Sequence, residues 1–202
     1  MKDASGLTAR YAALVGEVGP RVKVVVATKY VDDDQLALLE EAGVEIVGEN
    51  RLQDLERKTE RFADAFQWHF IGQLQSRKAP EVSARVELVH SLASTSAARR
   101  LTVPALVQVN LAGEDSKSGV GAGELSAFLD EVTSLGVDVV GLSTMPPLAT
   151  RPEDSRPYFR RLAELARELK LSELSMGTTQ DYQVAVEEGA TFVRVGSALF
   201  AG

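Results

Sequence analysis

Residues 22–29 read Val-Lys-Val-Val-Val-Ala-Thr-Lys, an almost unbroken apolar run that ends on the amine of Lys29. Such a run predicts a buried parallel strand, and α/β folds carry their chemistry where these strands end. An ammonium group held near an apolar wall loses hydration, so its pKa falls and the neutral amine can form a Schiff base with an aldehyde. The alternative is a lysine that reaches solvent from the strand end.

Seven further β-branched runs resemble the first, so eight strands are predicted in all. These runs are residues 44–48, 68–72, 86–92, 105–111, 137–145, 172–176 and 191–195. Segments with helical spacing lie between them, and Gly43, Gly136 and Gly189 each end such a segment where a left-handed residue is expected. This alternation predicts an α/β fold with one domain over residues 1–202, a closed (β/α)₈ TIM barrel with an extra N-terminal helix at residues 7–18. A doubly wound open sheet is the alternative.

Composition limits the kinds of partner. The chain has 202 residues, a formal net charge of −7, no cysteine and two histidines. Because the basic residues are scattered among acids, no nucleic-acid partner is expected. The sequence has no apolar run of membrane-spanning length and no signal-peptide core, which predicts a cytoplasmic protein without a membrane partner. His69 and His90 lack metal-ligand spacing, so no metal site is predicted, and the absence of a coiled-coil pattern favours a monomer.

Polar and small residues follow the predicted strands and would meet at one rim of the barrel. They are Lys29, residues 48–50, 72–73, 90–91, Asn110, 143–144, 175–179 and 196–197. The last two groups are the most informative, because the loops after strands 7 and 8 of such barrels often bind phosphate through backbone N–H groups. Thr178 or Thr179 is expected to cap the following helix, and ordinary capping without a ligand is the alternative.

Three more polar side chains call for a role. Arg194 lies within a strand on the same face as Gly196, so its guanidinium is predicted to face the interior, where Glu49 or the ring nitrogen of a ligand could accept its hydrogen bond. His69 is expected to face the pocket, with a hydrogen-bonded core histidine as the alternative. Lys117 lies in a small polar loop that is either a lid or a solvated segment.

The motifs, taken in order, resemble the pyridoxal phosphate homeostasis proteins, which are alanine racemase N-terminal-domain-like proteins that bind pyridoxal 5′-phosphate (PLP). The shared segments are residues 27–29, 48–51 (Gly-Glu-Asn-Arg) with 53, 68–72 (Trp-His-Phe-Ile-Gly) with 74–76, 89–91, 109–110 with 115–119, 175–177 (Ser-Met-Gly) and 193–196. The resemblance implies a barrel of the alanine racemase N-terminal-domain type with PLP held as a Schiff base on Lys29. It also implies phosphate contacts at Ser175, Gly177, Gly196 and Ser197, a ring-nitrogen contact from Arg194, and a position for Asn50 near the ring hydroxyl. With His69, these residues form the predicted cofactor-binding set, and no catalytic residue is predicted.

The implied function is a carrier and not a catalyst. An arginine facing the pyridine nitrogen donates to it without protonating it, which leaves PLP a poorer electron sink than an aspartate partner would. Racemases with this barrel carry a second acid/base residue on an additional domain. We expect that domain to be absent here because the sequence ends at Gly202. The resemblance therefore implies intracellular PLP (vitamin B6) homeostasis without robust turnover, with PLP-requiring apo-enzymes as recipients. The alternatives are a small PLP-dependent amino-acid racemase and a Schiff-base sugar-phosphate aldolase.

Overall fold

The computed structural model describes residues 4–113 and 118–200, and its parallel strands close into a barrel. The strands are β1 (Lys23–Ala27), β2 (Ile46–Glu49), β3 (Gln67–Phe70), β4 (Leu88–Leu92), β5 (Ala105–Asn110), β6 (Val120–Gly121), β7 (Val139–Thr144), β8 (Glu173–Thr178) and β9 (Phe192–Val195). The ring runs β1–β2–β3–β4–β5–β7–β8–β9 and closes from β9 to β1, while the two-residue β6 pairs with β5. The eight predicted strands and the TIM barrel are confirmed, and the open sheet is excluded.

Helices connect the strands on the outside of the barrel. They are α1 (Ala4–Val18), α2 (Asp33–Glu41), α3 (Leu52–Phe62), α4 (Ala79–Ser83), α5 (Thr95–Ala98), α6 (Leu125–Ser134), α7 (Arg156–Glu168), α8 (Tyr182–Glu187) and α9 (Ser197–Phe200), with 3₁₀ turns at Ser76–Lys78 and Pro152–Ser155. The extra N-terminal helix is present as α1, which buries Leu7, Leu14 and Val18. The Arg10 Nε of α1 donates to the Leu199 carbonyl of α9 at 2.9 Å, which ties the first helix to the last. No helix within the described ranges combines the length and apolarity of a membrane span.

Local sequence signals set the ends of several helices. The Asp32 carboxylate accepts the Gln35 N–H at 2.8 Å, and the Gln35 side-chain carbonyl accepts the Asp32 N–H at 3.1 Å, which is a capping box at the start of α2. Gly43, Gly136 and Gly189 have φ values of 76°, 84° and 96°. A side chain in this left-handed region costs about 1–2 kcal/mol, so glycine is the expected residue and the three predicted turns are confirmed.

Two apolar layers hold the barrel together. The interior layer consists of Val25, Ile46, Leu88, Leu106 and Phe192. A larger layer lies between the strands and the helices and includes Trp68, whose indole N–H donates to the carbonyl of Phe62, the last residue of α3, at 3.0 Å. The strict alternation along β3 places Trp68 in the outer layer and turns His69 into the barrel, as the sequence predicts.

Candidate functional site

Lys29 lies at the C-terminal mouth of the barrel, in the turn that follows β1. The Thr28 N–H donates to the Gly48 carbonyl at 2.9 Å, and the Val31 N–H donates to the Thr28 carbonyl at 2.9 Å, so both ends of the turn are fixed. The side chain is exposed, and its Nζ lies 4.8 Å from the centroid of the Tyr30 ring. The expected burial of the amine against an apolar wall is therefore corrected: Lys29 lies two residues past the end of β1, where water reaches it.

The order of the strands brings three predicted site residues to neighbouring strand ends. β1 pairs with β2 on one side and with β9 on the other, so Lys29, Asn50 and Gly196 follow three adjacent strands. A Cβ on Gly196 would lie 3.3 Å from the Ala27 carbonyl oxygen, which shows how closely the β9 end approaches β1. Ser197 begins α9, and its side chain lies outside the described residues.

Arg194 is buried within β9 and reaches toward the end of β7. Its Nη2 donates to the Thr144 carbonyl at 2.7 Å and lies 3.0 Å from the Met145 sulfur, whereas its Nε is buried without a hydrogen-bond partner. Burial lowers the pKa of Arg194 to about 10, so the guanidinium is still charged at neutral pH. Glu49 is not its acceptor, because that carboxylate faces the outer layer and pairs with Lys58.

Asn50 supplies the complementary unpaired group. Its N–H donates to the Glu49 Oε1 at 2.7 Å, and its Oδ1 is buried without a hydrogen-bond partner. A buried polar atom left unpaired costs about 1–3 kcal/mol, so an orphan donor on Arg194 and an orphan acceptor on Asn50 are expected where a ligand completes the hydrogen bonds. PLP offers a ring nitrogen that accepts and a ring hydroxyl that donates, so the residues present fit this cofactor.

A chain of buried hydrogen bonds crosses the barrel interior. The His69 Nδ1 lies 2.9 Å from the His90 Nε2, and the His90 Nδ1 lies 2.8 Å from the Ser175 Oγ. Burial, followed by the charge of Lys23, lowers the pKa of His69 to about 4, and burial also holds the pKa of His90 well below its usual range. Both imidazoles are thus neutral at pH 7. Because the Ser175 hydroxyl already pairs with His90, the cofactor contacts assigned to His69 and Ser175 stay predictions.

The two predicted phosphate loops are joined to each other. The Thr179 hydroxyl accepts the Gly196 N–H at 3.3 Å, which links the loop after β8 to the loop after β9. Gly177 has a φ of 87°, and a Cβ there would lie 2.5 Å from the Ala185 Cβ, so only glycine fits between β8 and α8. The phosphate roles of Gly177 and Gly196 stay predictions.

The predicted helix cap at Thr178 or Thr179 is wrong. Asp181 occupies the N-cap position of α8, and its Oδ1 accepts the Thr178 N–H at 2.7 Å and the Thr178 hydroxyl at 3.1 Å. The second carboxylate oxygen accepts the Ser155 hydroxyl at 2.7 Å. The backbone N–H and the hydroxyl of Thr178 therefore both bind the Asp181 carboxylate, in the turn that precedes α8.

A cavity of about 330 Å³ opens at the ends of β5, β7 and β8. Its lining includes Gln108, Ser118, Met145, Leu148, Thr178 and Asp181. Met145 also contacts Arg194, so the cavity adjoins the guanidinium. Lys117, the candidate lid residue, lies outside the described residues. No group of three or more histidine, aspartate or glutamate side chains within residues 4–113 and 118–200 is arranged to hold a metal ion.

Sequence reasoning missed one charged residue beside this site, Lys58. It is 1% exposed, and its Nζ donates to the Glu49 Oε2 at 2.6 Å and to the Thr28 carbonyl at 2.5 Å. The sequence signal that could have identified Lys58 is its spacing in α3. Lys58 lies three residues after Leu55 and four residues before Phe62, and both of these side chains are buried. A lysine on the apolar face of a helix indicates a buried partner.

Comparison with known proteins gives matches over nearly the whole chain. The family model for the N-terminal domain of alanine racemase matches residues 3–202. A pyridoxal phosphate homeostasis protein from Aquifex aeolicus (strain VF5) is 39% identical over 195 residues, which cover 88% of this chain and 86% of that protein. Two solved structures of PipY from Synechococcus elongatus PCC7942, without PLP and with PLP bound, are 30% identical and align with TM-scores of 0.90 and 0.87. Each alignment covers 96% of this chain and 100% of PipY.

Proposed function

The chain belongs to the pyridoxal phosphate homeostasis protein family, and from that premise we propose that it binds PLP and serves intracellular vitamin B6 homeostasis. One observation of the structure carries the proposal: a buried donor, Arg194 Nε, and a buried acceptor, Asn50 Oδ1, lack hydrogen-bond partners at the mouth of the barrel, where Lys29 lies in the turn that follows β1. The PLP-bound structure of PipY and the name of the Aquifex relative support the same ligand.

Lys29 is the residue that we propose holds the cofactor covalently. PLP would supply a reactive aldehyde when bound, and Lys29 would supply the primary amine that holds it. The exposed turn leaves the amine accessible to an incoming aldehyde. The backbone of Gly177, Gly196 and Ser197 would hold the phosphate, since loops at this end of the barrel present N–H groups to anions.

We further propose that the protein stores and delivers PLP without robust turnover. Arg194 is charged at neutral pH and can only donate to the ring nitrogen, which withholds the protonation that carbanion chemistry needs. The two buried histidines are neutral and hydrogen-bonded to each other, so neither is poised as a base. PLP-requiring apo-enzymes would be the recipients, and a cytoplasmic monomer over residues 1–202 is the form that we propose acts as the carrier.

An absorbance titration with PLP tests the proposal. The wild-type protein should develop the absorbance of a Schiff base, and borohydride should fix one cofactor on the peptide that contains Lys29. Lys29→Ala should lose both signals. Lys23→Ala is the matched control, because Lys23 begins the strand that Lys29 follows, and it should retain both. Labelling at another lysine, or no labelling, would refute the assignment.

Turnover is tested separately with amino acids in deuterated water. The carrier proposal predicts no catalytic exchange at the amino-acid Cα in the PLP-loaded protein. Exchange at enzymatic rates would show that a base acts on the bound substrate, and the function would then be that of a racemase.

A further inference from the structure

A fully buried ion pair lies directly behind the Lys29 turn, on the outer face of the barrel. Lys58 of α3 is 1% exposed and Glu49 of β2 is 0% exposed, and their Nζ and Oε2 are 2.6 Å apart. Moving two charges out of water costs several kcal/mol per ion, and an apolar pair of similar volume is often as stable. Stability alone therefore does not explain why this position holds charges.

Lys58 also binds the backbone that leads into Lys29. Its Nζ donates to the Thr28 carbonyl at 2.5 Å, and this oxygen belongs to the peptide bond between Thr28 and Lys29. The same oxygen accepts the Val31 N–H at 2.9 Å, which closes the turn around Lys29. The ammonium of Lys58 thus fixes the peptide plane from which the Lys29 side chain departs.

Glu49 connects this turn to the second orphan group of the mouth. Its Oε2 accepts the Thr28 hydroxyl at 2.9 Å in addition to Lys58, and its Oε1 accepts the Asn50 N–H at 2.7 Å. One carboxylate therefore holds the residue before Lys29 and the backbone of Asn50. Thr28, Glu49 and Lys58, which we call the Lys58 cluster, join the ends of β1 and β2 on the side away from the barrel interior.

We propose that Lys58 and Glu49 are positioning residues that set the Lys29 amine relative to Asn50 and so determine how readily Lys29 bonds to the cofactor. The inference rests on the proposed function, because it concerns the same lysine. Both side chains lie on the outer face of the barrel, away from its interior. Their effect passes through the Thr28–Lys29 peptide and the Asn50 backbone, and a displacement of about 1 Å at a reacting group can cost up to about a hundredfold in rate.

The double substitution Lys58→Met/Glu49→Gln separates this role from a purely structural one. Methionine fills the volume of the lysine stem, and glutamine keeps an oxygen for the Asn50 N–H. The Thr28 carbonyl still accepts the Val31 N–H, so no buried acceptor is left unpaired. The matched control is Arg57→Met, at the residue that precedes Lys58 on α3. It removes an exposed ion pair in which the Arg57 Nη1 lies 2.5 Å from the Asp33 Oδ1.

Binding of two ligands, PLP and pyridoxine 5′-phosphate, tests whether the Lys29 amine is correctly positioned. PLP measures covalent binding, through Schiff-base absorbance and borohydride trapping on Lys29, and pyridoxine 5′-phosphate measures non-covalent binding because it has no aldehyde. The double variant should bond to PLP about tenfold more slowly or more weakly, while its affinity for pyridoxine 5′-phosphate changes by less than about threefold. Arg57→Met should match the wild type with both ligands.

Each other outcome overturns the inference. Wild-type rates of trapping in the double variant would show that the cluster does not position Lys29. An equal loss with both ligands, or a variant that does not fold, would assign the pair to the stability of the barrel. Failure of the wild-type protein itself to bond to PLP would instead refute the proposed function, so the two failures are distinguishable.

Discussion

Acid should destabilise this barrel through its buried imidazoles well before its carboxylates protonate. The unfolded chain binds a proton at each histidine near pH 6.5, whereas burial lowers the pKa of folded His69 to about 4. The folded-state pKa is depressed, so protons favour the unfolded state as the pH falls. The stability is complete above pH 6.5, falls as the pH decreases from there, and stops falling below about pH 4.

The size of the effect follows from the shift. One pKa unit corresponds to about 1.4 kcal/mol, so His69 alone removes about 2 kcal/mol of unfolding free energy between pH 7 and pH 5, and about 3 kcal/mol in the limit. His90, which is more deeply buried, acts in the same direction. A loss of 2 kcal/mol is a large part of the 5–15 kcal/mol that is typical of folded domains.

Urea unfolding followed by circular dichroism at pH 7, 6 and 5 measures this loss. His69→Gln retains an amide that can pair with His90 but cannot titrate, so its unfolding free energy should depend less on pH than that of the wild type, by about 2 kcal/mol over this interval. A flat wild-type profile between pH 7 and 5 would refute the argument. If the variant does not fold, a His69 pKa near 6.5 by NMR would refute it equally.

Three further expectations concern single side chains. Arg194→Leu should weaken PLP binding by about tenfold or more in a fluorescence titration, because a hydrogen bond from a charged donor contributes about 1.5–3 kcal/mol. Gly177→Ala should lower the unfolding free energy by about 2–4 kcal/mol, because the new Cβ adds both backbone strain and a close contact with Ala185. A Cβ at Gly189 would meet nothing within 4 Å, so Gly189→Ala should lower the unfolding free energy by the backbone strain alone, about 1–2 kcal/mol. Equal losses for the two variants in urea unfolding would contradict this difference. Arg156→Ala removes a surface guanidinium that pairs with three glutamates, and it should lower the melting temperature by a small amount at low salt and by nothing measurable at 1 M salt.

The strands and helices of the barrel could be predicted from the sequence because each of their signals is local. Val22 and the run Val24–Val26 are β-branched and apolar over the length of a strand, and Gly43 lies where a helix must reverse into the next strand. These patterns depend on neighbours within one element, and they recur for every α/β unit. The strand order then follows, because parallel neighbours joined by helices wind in one direction.

The site was predicted less completely because its contacts join distant parts of the chain. The Ser175 hydroxyl pairs with His90 across 85 residues, and no spacing rule indicates such a contact. Thr178 has the residue type of a helix cap, but α8 begins three residues later at the N-cap Asp181, whose carboxylate accepts from Thr178 and not from the helix N–H groups. Lys29 ends an apolar run, yet the structure exposes it because β1 ends at Ala27.

Trp68 gives the protein a built-in optical probe. It is the single tryptophan of the chain, and its indole N–H bonds to the last residue of α3, the helix that also bears Lys58. Intrinsic emission therefore arises from one known location, and its wavelength and quenching report whether that helix stays docked. Loosening of the segment behind the lysine turn can be followed in solution without any attached dye.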